Sequence, residues 1–226
     1  MSGHSLDAVE VEPKAAADAA VVLMHGLGAD GHDFESIVPE LRLPASPSVR
    51  WVFPNAPVRP VTINAGCRMR AWYDIVGLDR RAPEDEAGIR DSARAVLDLM
   101  RRERERGIDS SRIVVAGFSQ GGAMALFAAL RWPERLAGIA ALSTYLPLAA
   151  TLEQEAHPAN AAVPIFMAHG TYDSVVSPEL GRSSRDHLRS RGYDVEWHDY
   201  PIPHSLSAEE VADLRAWLLR VLPPRS

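Results

Sequence analysis

The chain has 226 residues, 46% hydrophobic and 24% charged, with a formal net charge of −6. That length fits one domain of the larger kind, which buries about 70–75% of its unfolded surface and needs no disulfide to hold a core. The acidic balance argues against nucleic acid as a partner, and no apolar run is long enough for stable membrane insertion.

The N-terminal stretch from Met1 to Ala20 is polar and acidic, with Asp7, Glu10 and Glu12. It lacks the basic start and apolar stretch of a secretion signal. Cys67 is alone, so no internal disulfide forms, which suits a reducing compartment. A cytoplasmic location is therefore expected. Residues 1–226 read as one domain, in which about 1–19 form an N-terminal segment, either an edge strand or disordered.

Ala20 to His25 is a short apolar run and reads as a buried strand, leading into the loop His25-Gly26-Leu27-Gly28-Ala29-Asp30-Gly31. Val49 to Phe53 is a second strand, stopped by Pro54. Asn55 to Pro83 is rich in turn residues and reads as an irregular excursion. Pro83 to Gly107 is a helix with Ile89, Ala93, Val96, Leu97 and Met100 on one face, acidic residues at its start and arginines at its end. Those arginines read as a solvated face.

Arg112 to Gly117 predicts a strand and Gly121 to Arg131 a helix, with Ser119 between them in Gly117-Phe118-Ser119-Gln120-Gly121. This is G-x-S-x-G at a strand-to-helix turn, which lifts a serine hydroxyl clear of a sheet edge. Strands follow at Leu136–Leu142, Val163–His169 and Asp194–Tyr200, with a helix at Pro178–Arg191. The last helix opens on Ser207 with Glu210 three residues on, a capping box, and buries Val211, Leu214, Trp217, Leu218 and Val221. Strands alternating with helices imply a mainly parallel sheet covered on both faces, with function at the carboxyl ends of its strands.

A serine hydroxyl needs a base within hydrogen-bond reach and a carboxylate to orient that base. His204 lies in Pro201-Ile202-Pro203-His204, a loop after the last strand stiffened by two prolines. Its rivals fit less well. His198 is mid-strand and His187 is on a helix; His157 follows no strand, and His169 beside Gly170 reads as packing or turn support. Asp173 ends the preceding strand and falls between serine and histidine in chain order; Asp186, Asp194 and Asp199 do not share that placement. The oxyanion donors expected are the N–H groups of Gln120, next to the nucleophile, and of Leu27 in the early glycine loop. His25 reads as structural, and Trp132, Trp197 and Trp217 as packing. No spacing resembles a metal site.

Taken together, His25-Gly26-Leu27-Gly28-Ala29-Asp30, Phe53-Pro54-Asn55-Ala56-Pro57, Trp72-Tyr73-Asp74, Gly117-Phe118-Ser119-Gln120-Gly121-Gly122, the Gly170–Asp173 loop and His204 resemble the phospholipase/carboxylesterase family of α/β-hydrolases. That family includes bacterial carboxylesterases and acyl-protein thioesterases. The resemblance implies an α/β-hydrolase fold without a large lid and the triad Ser119, Asp173 and His204, with Leu27 and Gln120 as oxyanion donors. It also implies that the 55–83 excursion, with Trp72, walls the acyl site. Cys67 is expected in that wall, without a catalytic role.

Acyl-protein thioesterases commonly carry Ser-Gly-aromatic-Leu after the strand that follows the nucleophile helix; here Ser143-Thr144-Tyr145-Leu146 has Thr for Gly. This looks more like the carboxylesterase branch. The expectation is a cofactor-independent serine carboxylesterase acting on small-molecule esters with short or medium acyl chains, held by Leu27, Ile63, Trp72, Tyr145 and Val175. The alternatives are an acyl-protein thioesterase or lysophospholipase, and a ligand-binding module that has lost its chemistry. A surface-active lipase is disfavoured because no amphipathic lid is visible. The oligomeric state is open, a homodimer included.

Overall fold

The computed structural model describes residues 6–77 and 83–225. Its elements run β1 (Ala8–Val11), β2 (Ala19–Met24), α1 (Ile37–Leu41), β3 (Val49–Pro54), β4 (Val58–Val61), β5 (Cys67–Arg70) and α2 (Glu86–Glu105). They continue as β6 (Ile113–Phe118), α3 (Gln120–Ala129), β7 (Gly138–Leu142), α4 (Leu152–Glu155), β8 (Ile165–Gly170), α5 (Pro178–Ser190), β9 (Val195–Tyr200) and α6 (Ala208–Val221). Seven strands form one sheet in the order β1-β3-β2-β6-β7-β8-β9. Every pairing in it is parallel except β1 with β3 at the edge.

The inner strands β2, β6 and β7 are apolar throughout because both faces are covered, so alternate side chains enter two different cores. In β2, Ala20 and Met24 face one core while Ala19, Val21 and Leu23 face the other. In β6, Ile113 and Val115 part from Val114 and Ala116 in the same way. The first core is closed by Ile89, Val96 and Met100 of α2, Phe127 of α3 and Leu188 of α5. The second is closed by Ile37 and Leu41 of α1 and by Leu214, Trp217 and Leu218 of α6. No helix among the described residues is long and apolar enough to cross a membrane.

Local features depart from the sequence reading in several places. The 55–83 excursion contains an antiparallel hairpin, β4 with β5, joined through a short 3-10 turn at Thr62–Asn64; residues 78–82 lie outside the described residues. Pro60 and the charged side chains of the hairpin hide its alternation from a pattern search. The short helix α1, interrupted by Pro39, carries too little periodicity to register. Leu97 is only partly buried and Leu99 takes its place in the core.

The arginine-rich end of α2 is not simply solvated. Arg102 and Arg106 pair with Glu10 of β1, Arg106 also with Glu12, and Arg50, Arg102 and Arg106 all reach the fully buried Glu103. These ion pairs tie the N-terminal edge strand to the helix. The capping box is half made: Ser207 Oγ accepts the Glu210 N–H at 3.0 Å, but both Glu210 carboxyl oxygens are buried without a hydrogen-bond partner.

Candidate active site

Ser119 caps α3 at the carboxyl end of the central strand β6. Its backbone stands at φ 56°, ψ −122°, a conformation a side chain disfavours. Three hydrogen bonds hold it there. Ser119 N–H donates to Leu142 O at 2.8 Å, while Ser119 O accepts from Ala123 N–H at 3.1 Å and from Thr144 Oγ1–H at 2.6 Å. The turn is tight enough that a Cβ on Gly121 would lie 2.2 Å from the Met24 carbonyl oxygen, so only glycine lets α3 start against β2.

His204 and Asp173 come from the loops after β9 and β8. His204 Nε2 lies 2.9 Å from Ser119 Oγ, and His204 Nδ1 lies 2.6 Å from Asp173 Oδ2. The other carboxylate oxygen of Asp173 accepts the Val175 and Val176 N–H groups, each at 2.8 Å. The two loops are bound together: Thr171 N–H donates to Tyr200 O at 2.7 Å and Tyr172 N–H to Ile202 O at 3.1 Å. A Cβ on Gly170 would sit 2.4 Å from the Ile202 carbonyl oxygen, so glycine permits this approach. Phe118 packs on the His204 ring with centroids 4.7 Å apart.

This is the geometry of an assisted nucleophile. The carboxylate accepts from Nδ1 and fixes the tautomer that leaves Nε2 free to take the hydroxyl proton. The Gln120 N–H is the first of α3, a position with no intrahelical acceptor. Leu27 N–H likewise donates to no other group among the described residues. Both residues line the cleft beside Ser119.

His25 supports this loop from beneath. It is buried, with Nδ1 2.7 Å from the Gly26 carbonyl oxygen, and Nε2 accepts the Ala56 N–H at 3.0 Å. Burial pushes its pKa below the ordinary histidine value, so the ring is neutral and can play both parts.

The cleft has a volume of about 370 Å³. Leu27, Ile63, Tyr145 and Val175 line it, as expected from the sequence, along with Ile75, Val76 and Leu180, which the sequence reading did not single out. Ile63, Val76 and Val175 leave 38–48% of their surface exposed, an apolar rim around the mouth. Tyr73 and Tyr145 share a hydroxyl hydrogen bond of 2.8 Å in its wall, and burial raises both phenol pKa values.

Two expected wall residues are elsewhere. Trp72 is fully buried behind the cleft, where its indole N–H donates to His25 O at 2.9 Å and its backbone N–H to Gln120 Oε1 at 2.8 Å. It holds up the wall without lining it, because the indole is spent on the core. Cys67 lies exposed on the hairpin and does not line the cleft. His169, expected to pack, lies 3.3 Å from Asp173 Oδ2. A second groove opens on the far side of His204, between α1 and the start of α6, with Phe34, Phe118 and Asp33 in its walls.

The other candidates take no part. His198 stacks between Phe166 and Tyr200, and His157 caps a 3-10 turn by accepting the Ala159 N–H. Asp199 accepts from the Trp197 indole, and Asp186 pairs with Arg185.

The chain is 43% identical over 214 residues to acyl-protein thioesterase 1 of Neurospora crassa, covering 91% of this chain and 87% of that one. It is 40% identical over 220 residues to acyl-protein thioesterase 1 of Mycosarcoma maydis, covering 91% and 92%. The crystal structure of acyl-protein thioesterase 2 from Zea mays superposes with a TM-score of 0.86 at 32% identity, over 96% of this chain and 99% of the other. The Phospholipase/Carboxylesterase family profile matches residues 6–222. With a seven-stranded, mostly parallel sheet and a serine at the nucleophile turn, the chain is a carboxylic ester hydrolase that belongs to the phospholipase/carboxylesterase family of α/β-hydrolases.

Proposed function

We propose that this hydrolase is an acyl-protein thioesterase, releasing a fatty acyl group from a cysteine side chain and cleaving simple oxygen esters with the same machinery. The observation that carries this is the continuity of the Ser119–His204–Asp173 relay with an apolar cleft whose exposed rim suits an acyl chain. The thioesterase names of the relatives at 40–43% identity support it over the short- to medium-chain carboxylesterase expected from the sequence. That expectation leaned on Thr144, whose hydroxyl is turned to the Ser119 carbonyl and which is not among the cleft-lining residues. Thr144 therefore does not line the space offered to an acyl chain.

In this reading Ser119 Oγ attacks the thioester carbonyl carbon as His204 Nε2 takes its proton. The Leu27 and Gln120 N–H groups receive the developing oxyanion. The C–S bond breaks, and His204 returns the proton to the departing thiolate, for which the groove beside His204 offers a route. Water, deprotonated by His204, then attacks the acyl-enzyme, releases the carboxylic acid and restores Ser119. Asp173 holds the imidazole in place and stabilises the imidazolium. The reading includes one domain over residues 1–226 and a cytoplasmic setting, where acylated cysteines and the lone Cys67 both persist without oxidation.

The test is hydrolysis of a palmitoyl-cysteine peptide beside a p-nitrophenyl ester series from acetate to palmitate. Turnover of the peptide that disappears in Ser119→Ala supports the proposal. Ester turnover confined to short chains, with the peptide untouched, returns the carboxylesterase reading; turnover surviving in Ser119→Ala removes the relay altogether.

A further inference from the structure

His169 is fully buried at the end of β8 and is wedged in place. Its ring stacks on Trp197, centroids 6.2 Å apart, and its Nδ1 edge faces Gly181 of α5, where a Cβ would lie only 2.5 Å from Nδ1. Nε2 lies 2.9 Å from the Val176 carbonyl oxygen and 3.3 Å from Asp173 Oδ2. A carbonyl and a carboxylate only accept, so Nε2 carries the proton. Nδ1 is then a bare lone pair, which agrees with its having no hydrogen-bond partner. Burial lowers the His169 pKa, so the ring stays neutral and singly protonated.

The Val176 carbonyl is the far end of the turn whose Val175 and Val176 N–H groups grip Asp173 Oδ1. His169 therefore holds that turn by its carbonyl and also sets the positive edge of an N–H dipole beside Oδ2, the oxygen that meets His204. We infer that His169 is a positioning residue for the reaction: it fixes the plane of the Asp173 carboxylate so that Oδ2 points at His204 Nδ1. The inference rests on the reading of Ser119, His204 and Asp173 as the catalytic relay. With the carboxylate free to turn, the imidazolium formed in each half-reaction loses its partner, and the base drifts off the Ser119 hydroxyl.

The experiment compares wild type with His169→Phe, which keeps the flat ring without a donor, and His169→Gln, whose amide N–H can reach the Val176 carbonyl. Gly181→Ala displaces the ring without altering it. On p-nitrophenyl butyrate, His169→Phe and Gly181→Ala are expected to lose roughly 10- to 100-fold in kcat, the scale of a displaced catalytic group, with KM little changed. The far-downfield proton resonance of the His204–Asp173 hydrogen bond weakens or moves in both variants. His169→Gln recovers most of the rate and the resonance, which a purely packing role would not allow. The inference is overturned if His169→Phe keeps the wild-type kcat and resonance. It is also overturned if ring 15N shifts of the wild-type protein place the His169 proton on Nδ1, a result that needs no variant to fold. Wild-type turnover in Ser119→Ala would instead remove the reading beneath it.

Discussion

The Gln120 side chain reaches across from the nucleophile turn to Trp72: its Oε1 accepts the Trp72 backbone N–H at 2.8 Å, and its Nε2 donates to the neighbouring Tyr73 carbonyl at 2.8 Å. One residue thus offers its main-chain N–H to the cleft and pins the cleft wall with its side chain. Gln120 is 3% exposed, so its removal leaves two buried backbone groups without partners. Gln120→Ala is expected to cost about 2–4 kcal/mol in urea unfolding. It should also raise KM more for long acyl chains than for acetate, because Tyr73 lines the cleft. A loss below about 0.5 kcal/mol, the scatter of ordinary surface substitutions, would mean the wall holds itself.

Strain at the nucleophile makes a second expectation. At φ 56°, ψ −122°, Ser119 occupies a region natural to glycine. Such strain costs on the order of 1–3 kcal/mol, offset in a glycine variant by about 0.5–1 kcal/mol of extra unfolded-chain entropy. Ser119→Gly should therefore be inactive yet about 1 kcal/mol more stable than Ser119→Ala, which keeps the Cβ. Chemical denaturation of the two inactive proteins side by side decides it; equal or reversed midpoints would show that the elbow is relaxed.

The positions of Ser119 and Asp173 were legible because each follows a strand with a buried apolar run, and that of His204 because it follows the last strand of the alternating strand–helix order; sheet topology carries these strand ends to one edge. The glycine loop after β2 was legible for the same reason. What escaped was whatever depends on side chains meeting across the chain. The separation of four residues between His169 and Asp173 says nothing of a contact, since no helix joins them. Trp72 looked like a substrate residue because a tryptophan beside Tyr73-Asp74 in a turn-rich stretch gives no hint that its indole is consumed by the His25 carbonyl. The hairpin carrying Cys67 lacked an apolar face to alternate, and Glu103 read as one charge among many on a polar helix end. For Trp72 and Glu103 the deciding partner lies far along the sequence: 47 residues from His25 to Trp72, and 53 from Arg50 to Glu103.

Glu103 yields a third expectation. Its side chain has no solvent exposure and meets Arg50, Arg102 and Arg106. Removing it leaves three guanidinium groups crowded together, so Glu103→Ala should cost about 3–5 kcal/mol. Glu103→Gln, which keeps hydrogen-bond acceptors, should cost less. Arg102→Ala takes away only a half-exposed partner and should cost about 1 kcal/mol or less. The same substitution order should appear in hydrogen exchange of β1, whose Glu10 joins the cluster together with Glu12 just past the strand's end; unaltered exchange there in Glu103→Ala would separate the edge strand from the ion pairs.

Glu210 carries the last expectation, in the direction of pH. It is 1% exposed at the third position of α6, and neither carboxyl oxygen has a hydrogen-bond partner. Burial pushes its pKa from 4.5 up to about 8, against a smaller opposing pull from the Ser207 N–H. The folded protein therefore holds a proton that the unfolded chain has already released over most of that interval. With fewer protons bound by the unfolded state, stability falls as pH rises from about 4.5 and levels off above about 8. At about 1.4 kcal/mol per unit the full interval sets a ceiling of about 5 kcal/mol, and relaxation of the site brings the expected loss to a few. Glu210→Gln has nothing to titrate, so it should abolish this slope. Its stability relative to wild type should improve steadily from pH 5 to pH 8 in urea unfolding. Parallel pH profiles for the two proteins would show that the Glu210 carboxylate finds solvent or a partner on ionising, and that α6 bears no pH-dependent cost at its start.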